Sequence, residues 1–123
     1  MANELVLNAT LLYNKNNVQI SLAIQNLRVT VTGNGLESLA SYSLTTADTA
    51  IPLGTVSSAG GWLFVQNTDV TNYITIKSAV SGTAMIRVLP GEFALFRLEP
   101  GITAPSFQAH TGTCVVKFAI FDL

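Results

Sequence analysis

The residues best suited to chemistry in this chain are His110 and Cys114, its single histidine and its single cysteine. A nucleophile and its base must lie within hydrogen-bond reach of each other. The two positions are four apart in the sequence, so on one strand they would face the same side about 13 Å apart. We therefore expect His110 to be a solvated turn residue and Cys114 a small buried hydrophobe.

The seven Asp and Glu residues are isolated along the chain, each near a predicted turn or strand end. Carboxylates in such places usually cap backbone N–H groups. One histidine and one cysteine are too few for a zinc site, and the glycine-rich and serine motifs of phosphate loops and hydrolases do not occur. We predict that the protein is not an enzyme, with no catalytic residue, no metal and no cofactor.

Oxygen-bearing side chains accumulate in the segment QNTDVTN, residues 66–72. Calcium takes about six to eight oxygen ligands and normally several carboxylates, whereas this segment has Asp69 alone. Asn and Asp side chains that bond the backbone of their own turn explain the same residues. The remaining alternative is carbohydrate binding by this loop, with Trp62 or Tyr73 as a stacking platform.

The composition indicates a single domain with apolar surface to cover. The 123 residues are 49% hydrophobic and only 11% charged, where about a quarter charged is ordinary. The charges are scattered singly, so no basic stripe could follow a phosphate backbone. The chain lacks the pattern of a signal peptide and any apolar run long enough to span a membrane. We expect a soluble cytosolic chain with no nucleic-acid or membrane partner.

The elements that position these residues are strands, because the chain alternates with a period of two. Eight to ten short strands are separated by turns rich in Gly, Pro, Asn and Asp, with little or no helix. This pattern predicts an all-β fold, a single antiparallel β-sandwich over residues 1–123. We expect it to be jelly-roll-like, because a slip of the apolar phase in the N-terminal part indicates a chain that changes sheets.

The N-terminal strands are expected to form a hairpin. Residues 4–13 alternate as a half-buried strand, and the cluster NKNN at residues 14–17 is a turn. The next run changes its apolar phase from even to odd across Gln25 and Asn26. Such a slip indicates a β-bulge or bend. We predict a kink near Asn26, at which the segment leaves one sheet and joins another.

Two segments are apolar on both faces, WLFV at residues 62–65 and the last ten residues, 114–123. A strand of this kind lies between two layers or has one face against another chain. We therefore predict a subunit or partner interface formed by Trp62, Tyr73, Phe93, Phe121 and Leu123.

The succession TAIPLG, GGWLFVQNTDVTNYITI and VLPGEFALFRLEPG, followed by a final strand, resembles small β-sandwich virion proteins of tailed bacteriophages. These are the head-decorating or accessory proteins. The likeness covers roughly residues 49–123 and includes a strand ending in Asn, a polar turn and a Pro-Gly-Glu hairpin. It implies a non-enzymatic subunit, present in many copies, that packs on a capsid or tail and often forms trimers.

We therefore predict a virion structural protein, specifically a capsid decoration (cement) protein that assembles as a homo-oligomer, with a trimer expected. Its partners would be further copies of itself and the major capsid protein or other virion proteins. A phage neck or tail component is the alternative within this class. A carbohydrate-binding β-sandwich module is the alternative from another class.

Overall fold

The computed structural model describes residues 5–31, 33–37, 41–53, 56, 61–99, 102 and 104–122. These residues form eleven strands and no helix, and every strand pairing is antiparallel. The predicted all-β class is confirmed. The chain divides into two compact units, Met1–Thr32 and Gly33–Leu123.

The first unit is a hairpin of β1 (Leu5–Lys15) and β2 (Val18–Val29). Asn16 and Asn17 connect the strands and have φ angles of 53° and 66°. Two consecutive left-handed residues form the turn whose twist matches that of hairpin strands, and Asn adopts this backbone more readily than most residues. The predicted turn is confirmed.

A β-bulge interrupts the hairpin where the apolar phase of β2 changes. Asn8 of β1 lies opposite two residues of β2, Gln25 and Asn26. Asn26 has a φ of 56°, and its N–H donates to Asn8 Oδ1 at 2.9 Å. The irregularity predicted near Asn26 is therefore confirmed as a bulge.

The predicted change of sheet at this bulge is wrong, because β2 pairs with β1 on both sides of it. The odd-numbered residues of β1 from Leu5 to Tyr13 are all apolar and stay on one face. The extra residue in β2 returns Leu27 and Val29 to the face that holds Leu22 and Ile24, whereas without it they would point to the opposite face. The phase slip preserves one apolar face of the hairpin.

The second unit contains two sheets. The four-stranded sheet has the order β5 (Thr49–Ala50), β10 (Ser106–Ala109), β7 (Ile74–Lys77) and β8 (Ala84–Val88). The five-stranded sheet has the order β3 (Gly35–Glu37), β11 (Cys114–Phe121), β6 (Trp62–Asn67) and β9 (Phe93–Arg97), and β4 (Tyr42–Leu44) also pairs with β11.

The chain crosses between these sheets at six places: from β4 to β5, from β5 to β6, from β6 to β7, from β8 to β9, from β9 to β10 and from β10 to β11. The short strands β3 and β4 pair with different parts of β11, so together they act as one edge strand. Eight strand positions in two sheets connected in this way form a jelly roll. The predicted jelly-roll-like sandwich is confirmed, although the changes of sheet begin after β4 and none occurs within β2.

The core lies between the inner faces of the two sheets. Leu63 and Val65 of β6, Ile76 of β7 and Phe107 of β10 are fully buried. Phe107 meets Phe118 of the other sheet edge-to-face, with ring centroids 5.7 Å apart. Each strand supplies alternate residues to this layer, as the period of two requires.

The sequence prediction placed residues 1–123 in one sandwich domain. The strands of the sandwich lie between Gly35 and Phe121. The strands β1 and β2 form a two-stranded sheet of their own.

Candidate interaction surfaces

The polar turn between β6 and β7 satisfies its own backbone. The Asn67 side chain is fully buried, and its Nδ2 donates to the carbonyls of Asn72 at 2.8 Å and Val88 at 3.1 Å. Its Oδ1 accepts the Asp69 N–H at 2.9 Å. This geometry agrees with the interpretation of the segment as a turn, because the Asn67 amide is used inside it.

Asp69 closes the same turn. Its Oδ2 accepts the N–H groups of Asn72 at 2.8 Å and Thr71 at 3.1 Å. These two hydrogen bonds hold the pKa of the Asp69 carboxyl below its usual range, because they favour the charged form. Among the described residues, no group of three or more His, Cys, Asp and Glu side chains could hold a metal ion.

His110 and Cys114 lie on either side of the turn between β10 and β11, strands of different sheets. Cys114 is buried, and its Sγ donates to Asn67 Oδ1 at 3.3 Å. Burial, with a smaller effect of the Asp69 charge, raises the pKa of the Cys114 thiol to about 11. The thiol is therefore protonated near neutral pH and a poor nucleophile.

His110 is exposed and stacks on Tyr73, with ring centroids 4.4 Å apart and an interplanar angle of 20°. The Arg87 guanidinium also lies over the Tyr73 ring, 4.4 Å from its centroid. The Tyr73 ring therefore has two side chains of its own chain against it.

The outer face of the five-stranded sheet carries a second set of apolar side chains. Leu63 and Val65 point into the core, so the alternate residues of β6 point outward. The register places Phe64 beside Leu95. Leu63 pairs with Ile120, so Trp62, the residue before Leu63, lies beside Phe121, the residue after Ile120. We call this surface the aromatic face; its members are Trp62, Phe64, Phe93, Leu95 and Phe121.

Phe93 is the most exposed member of the aromatic face, with 61% of its surface accessible. Its ring lies 6.1 Å from that of Phe64, and the Arg97 guanidinium lies 5.6 Å from the Trp62 ring. The other members of the aromatic face are partly buried. An exposed aromatic centre beside arginine is typical of protein-binding surfaces.

The structure brings three of the five predicted interface residues together: Trp62, Phe93 and Phe121 belong to the aromatic face. Tyr73 precedes β7 of the other sheet and contacts His110. Leu123 lies outside the described residues. The prediction missed Phe64 and Leu95, although each lies two residues from a predicted member and alternation places it on the same face.

The hairpin carries a larger uncovered surface. One of its faces contains apolar residues alone apart from Lys15 at the tip, and we call this set the hairpin face. Its members are Leu5, Leu7, Ala9, Leu11, Tyr13, Val18, Ile20, Leu22, Ile24, Leu27 and Val29.

Seven large members of the hairpin face, from Leu11 to Leu27, expose between 40% and 61% of their surface. The prediction that residues 4–13 form a half-buried strand is wrong for the single chain, since every residue of β1 from Asn8 to Lys15 is exposed. Alternation identified the apolar side of the strand correctly. It contains no information about what covers that side.

Comparison with protein-family models, with curated protein sequences and with solved structures found no match to this chain. Within the described residues, none forms a helix long and apolar enough to cross a membrane.

Proposed function

We propose that this chain is a non-enzymatic virion structural protein, a capsid decoration subunit that assembles as a homo-oligomer on a bacteriophage head. A trimer is the expected state. The observation that carries the proposal is the aromatic face, and the likeness of residues 49–123 to small virion proteins supplies the biological setting. Its partners are further copies of the chain and the major capsid protein or other virion proteins.

The aromatic face departs from the ordinary pattern of a two-sheet sandwich. An antiparallel sheet with one solvated face normally alternates apolar residues inward with polar residues outward. Here the central strand β6 presents Trp62 and Phe64 outward, flanked by Phe93 on β9 and Phe121 on β11. A sheet that is apolar on both sides supports a role in binding another protein surface.

Polar residues border this apolar centre. Gln66 pairs with Lys117 on one side, and Arg97 pairs with Trp62 on the other. Both Lys117 and Arg97 are exposed. An apolar centre with a polar margin is the usual anatomy of a protein–protein contact, in which water is excluded from the centre.

A phage neck or tail component would use the same surface and is the nearest alternative. The carbohydrate-binding alternative has less support, because His110 and Arg87 already lie against the Tyr73 ring. The side chains of Asn67 and Asp69 are likewise engaged with the backbone of their own turn.

A binding experiment tests the proposal. Capsids assembled from a bacteriophage major capsid protein would be mixed with the purified full chain and sedimented. The substitution Phe93→Lys should weaken co-sedimentation by roughly tenfold or more, because it places a charge in the desolvated centre of the contact.

Val70→Lys is the matched control, since Val70 is 87% exposed and lies in the turn after β6, outside the aromatic face. It should bind capsids as the unaltered chain does. Equal binding by Phe93→Lys would overturn the assigned surface. An unaltered chain that stays a strict monomer and is retained on a glycan column would overturn the proposed function in favour of sugar binding.

A further inference from the structure

We infer that the hairpin face is covered by the hairpin faces of other copies of this chain. The inference rests on the proposed homo-oligomeric state and names the surface through which the copies meet. It does not depend on capsid binding, which the proposal assigns to the aromatic face.

The first support is the continuity of the hairpin face. Leu11 pairs with Leu22 and Tyr13 with Ile20, so apolar residues stand side by side on both strands. The bulge at Asn26 keeps this face unbroken beyond Ile24. A left-handed residue and a disturbed ladder are tolerated at the position where they keep Leu27 and Val29 on the same side as Ile24.

The second support is the exposed area. Seven large side chains of this face are about half exposed, which leaves on the order of 500 Å² of apolar surface per chain if each measures about 150 Å² in full. That area is near the upper end for the largest apolar patch of a monomer. Two such faces together bury roughly 1,000 Å², which is the lower limit for a specific interface.

The third support is the shortage of charge. Between residues 5 and 31 the only charged residues are Lys15, at the tip, and Arg28, whose partner in the ladder is Val6 on the opposite face. Two hairpin faces can therefore meet without burying a charge, which would cost several kcal/mol in an unpaired state. A partner recognised through charge complementarity is disfavoured, because the hairpin face has almost no charge.

Two alternatives are disfavoured: that the hairpin face binds a lipid surface, and that it stays uncovered. A two-stranded sheet has two unpaired edges, whose N–H and C=O groups would be unsatisfied in hydrocarbon. A lone hairpin is marginally stable at best in water. Packing against further hairpins supplies the missing apolar layer.

The test is the mass of the full chain in solution, measured by sedimentation or light scattering at micromolar concentration. The unaltered chain should have a mass of two or more times 13.1 kDa. Leu22→Lys, in the middle of the hairpin face, should raise the dissociation constant by roughly tenfold or more, because a charge would enter the apolar contact.

Leu12→Lys is the matched control. Leu12 precedes Tyr13 on the same strand and is 74% exposed, but it pairs with Ser21 on the opposite face. The control variant should keep the mass of the unaltered chain. An assembled chain that tolerates Leu22→Lys would overturn the inference and leave the proposed function standing, whereas a monomeric unaltered chain would contradict both.

A second pair of variants keeps the inference testable if Leu22→Lys does not fold. Leu22→Cys should form a disulfide between chains under mild oxidation, and Leu12→Cys should not. The native Cys114 is buried and does not compete for the oxidant. Equal cross-linking of the two variants, or none in either, would contradict the inference.

Discussion

The hairpin and the sandwich share the same alternating sequence pattern, but their apolar residues differ in burial in the single chain. In β6 and β7 of the sandwich, the apolar alternate residues Leu63, Val65 and Ile76 are completely buried. In the hairpin, Leu11 and Leu22 occupy equivalent alternate positions and are 58% and 61% exposed. The sandwich supplies its own second layer, whereas the described hairpin is one sheet with two strands.

This difference separates two kinds of information in the sequence. The period of two identifies strands and the side of each strand that avoids water. The chain that provides the opposite layer is not encoded in that period. The exposed apolar side chains of the hairpin therefore bear on assembly, and substitutions in the hairpin and in the sandwich should have different effects.

The largest difference should come from truncating matched leucines. Leu63→Ala should lower the free energy of unfolding of the sandwich by about 3 to 4 kcal/mol, because it opens a cavity at a fully buried site. Leu22→Ala should change that free energy by less than about 0.5 kcal/mol. Urea titration followed through the fluorescence of Trp62, the single tryptophan, measures both. Equal losses would contradict the separation of the two regions.

A smaller difference is expected between two asparagines that each fix a backbone irregularity. Asn67→Ala should cost the sandwich about 2 to 3 kcal/mol, because the Asp69 N–H and the Val88 carbonyl would lose their partner. The exposed Asn8 accepts a single bond, from Asn26, and Asn8→Ala should cost the sandwich less than about 0.5 kcal/mol. Thermal unfolding of both variants provides the comparison.

The smallest predicted effect is a loss of stability of the sandwich in acid. The folded pKa of Asp69 is below its ordinary value of 3.8, so its stabilising contribution is present above pH 3.8 and is lost as the pH falls through the folded pKa. Asp69→Asn should flatten the fall in melting temperature below pH 4. An unchanged slope would show that the turn does not couple to this carboxyl.

The hairpin provides the contrast for this titration. Residues 5–31 contain no Asp or Glu, so the hairpin contributes no carboxyl to a loss of stability in acid. The solution mass should therefore respond less to acid than the melting temperature of the sandwich does.

Much of the fold could be predicted from residue types and spacing. The Asn16–Asn17 turn, the irregularity at Asn26 and the all-β class follow from local chemistry and period. The predicted change of sheet in β2 was wrong. A strand that bends into another sheet and a strand with a bulge show the same phase slip in the sequence. The pairing with β1 decides between them, and pairing is a long-range property.

The candidate surfaces were predicted less completely. Trp62, Phe93 and Phe121 share a face because β6 lies between β9 and β11, an order that no local pattern contains. Tyr73 was grouped with them by residue type, but it lies before β7 of the other sheet and stacks on His110. The hairpin face was predicted as the apolar side of a strand, and alternation alone could not predict how exposed its side chains are in the single chain.

Hydrogen exchange of the assembled chain tests the contrast between the two regions most directly. In the Leu22→Lys variant, amides of β1 and β2 should exchange roughly tenfold faster or more than in the Leu12→Lys variant, because the hairpin loses the layer that stabilises it. Amides of β6 and β7 should exchange at the same rate in both. Equal protection of the hairpin in the two variants would contradict the account, because the hairpin would then be stable without a covering copy.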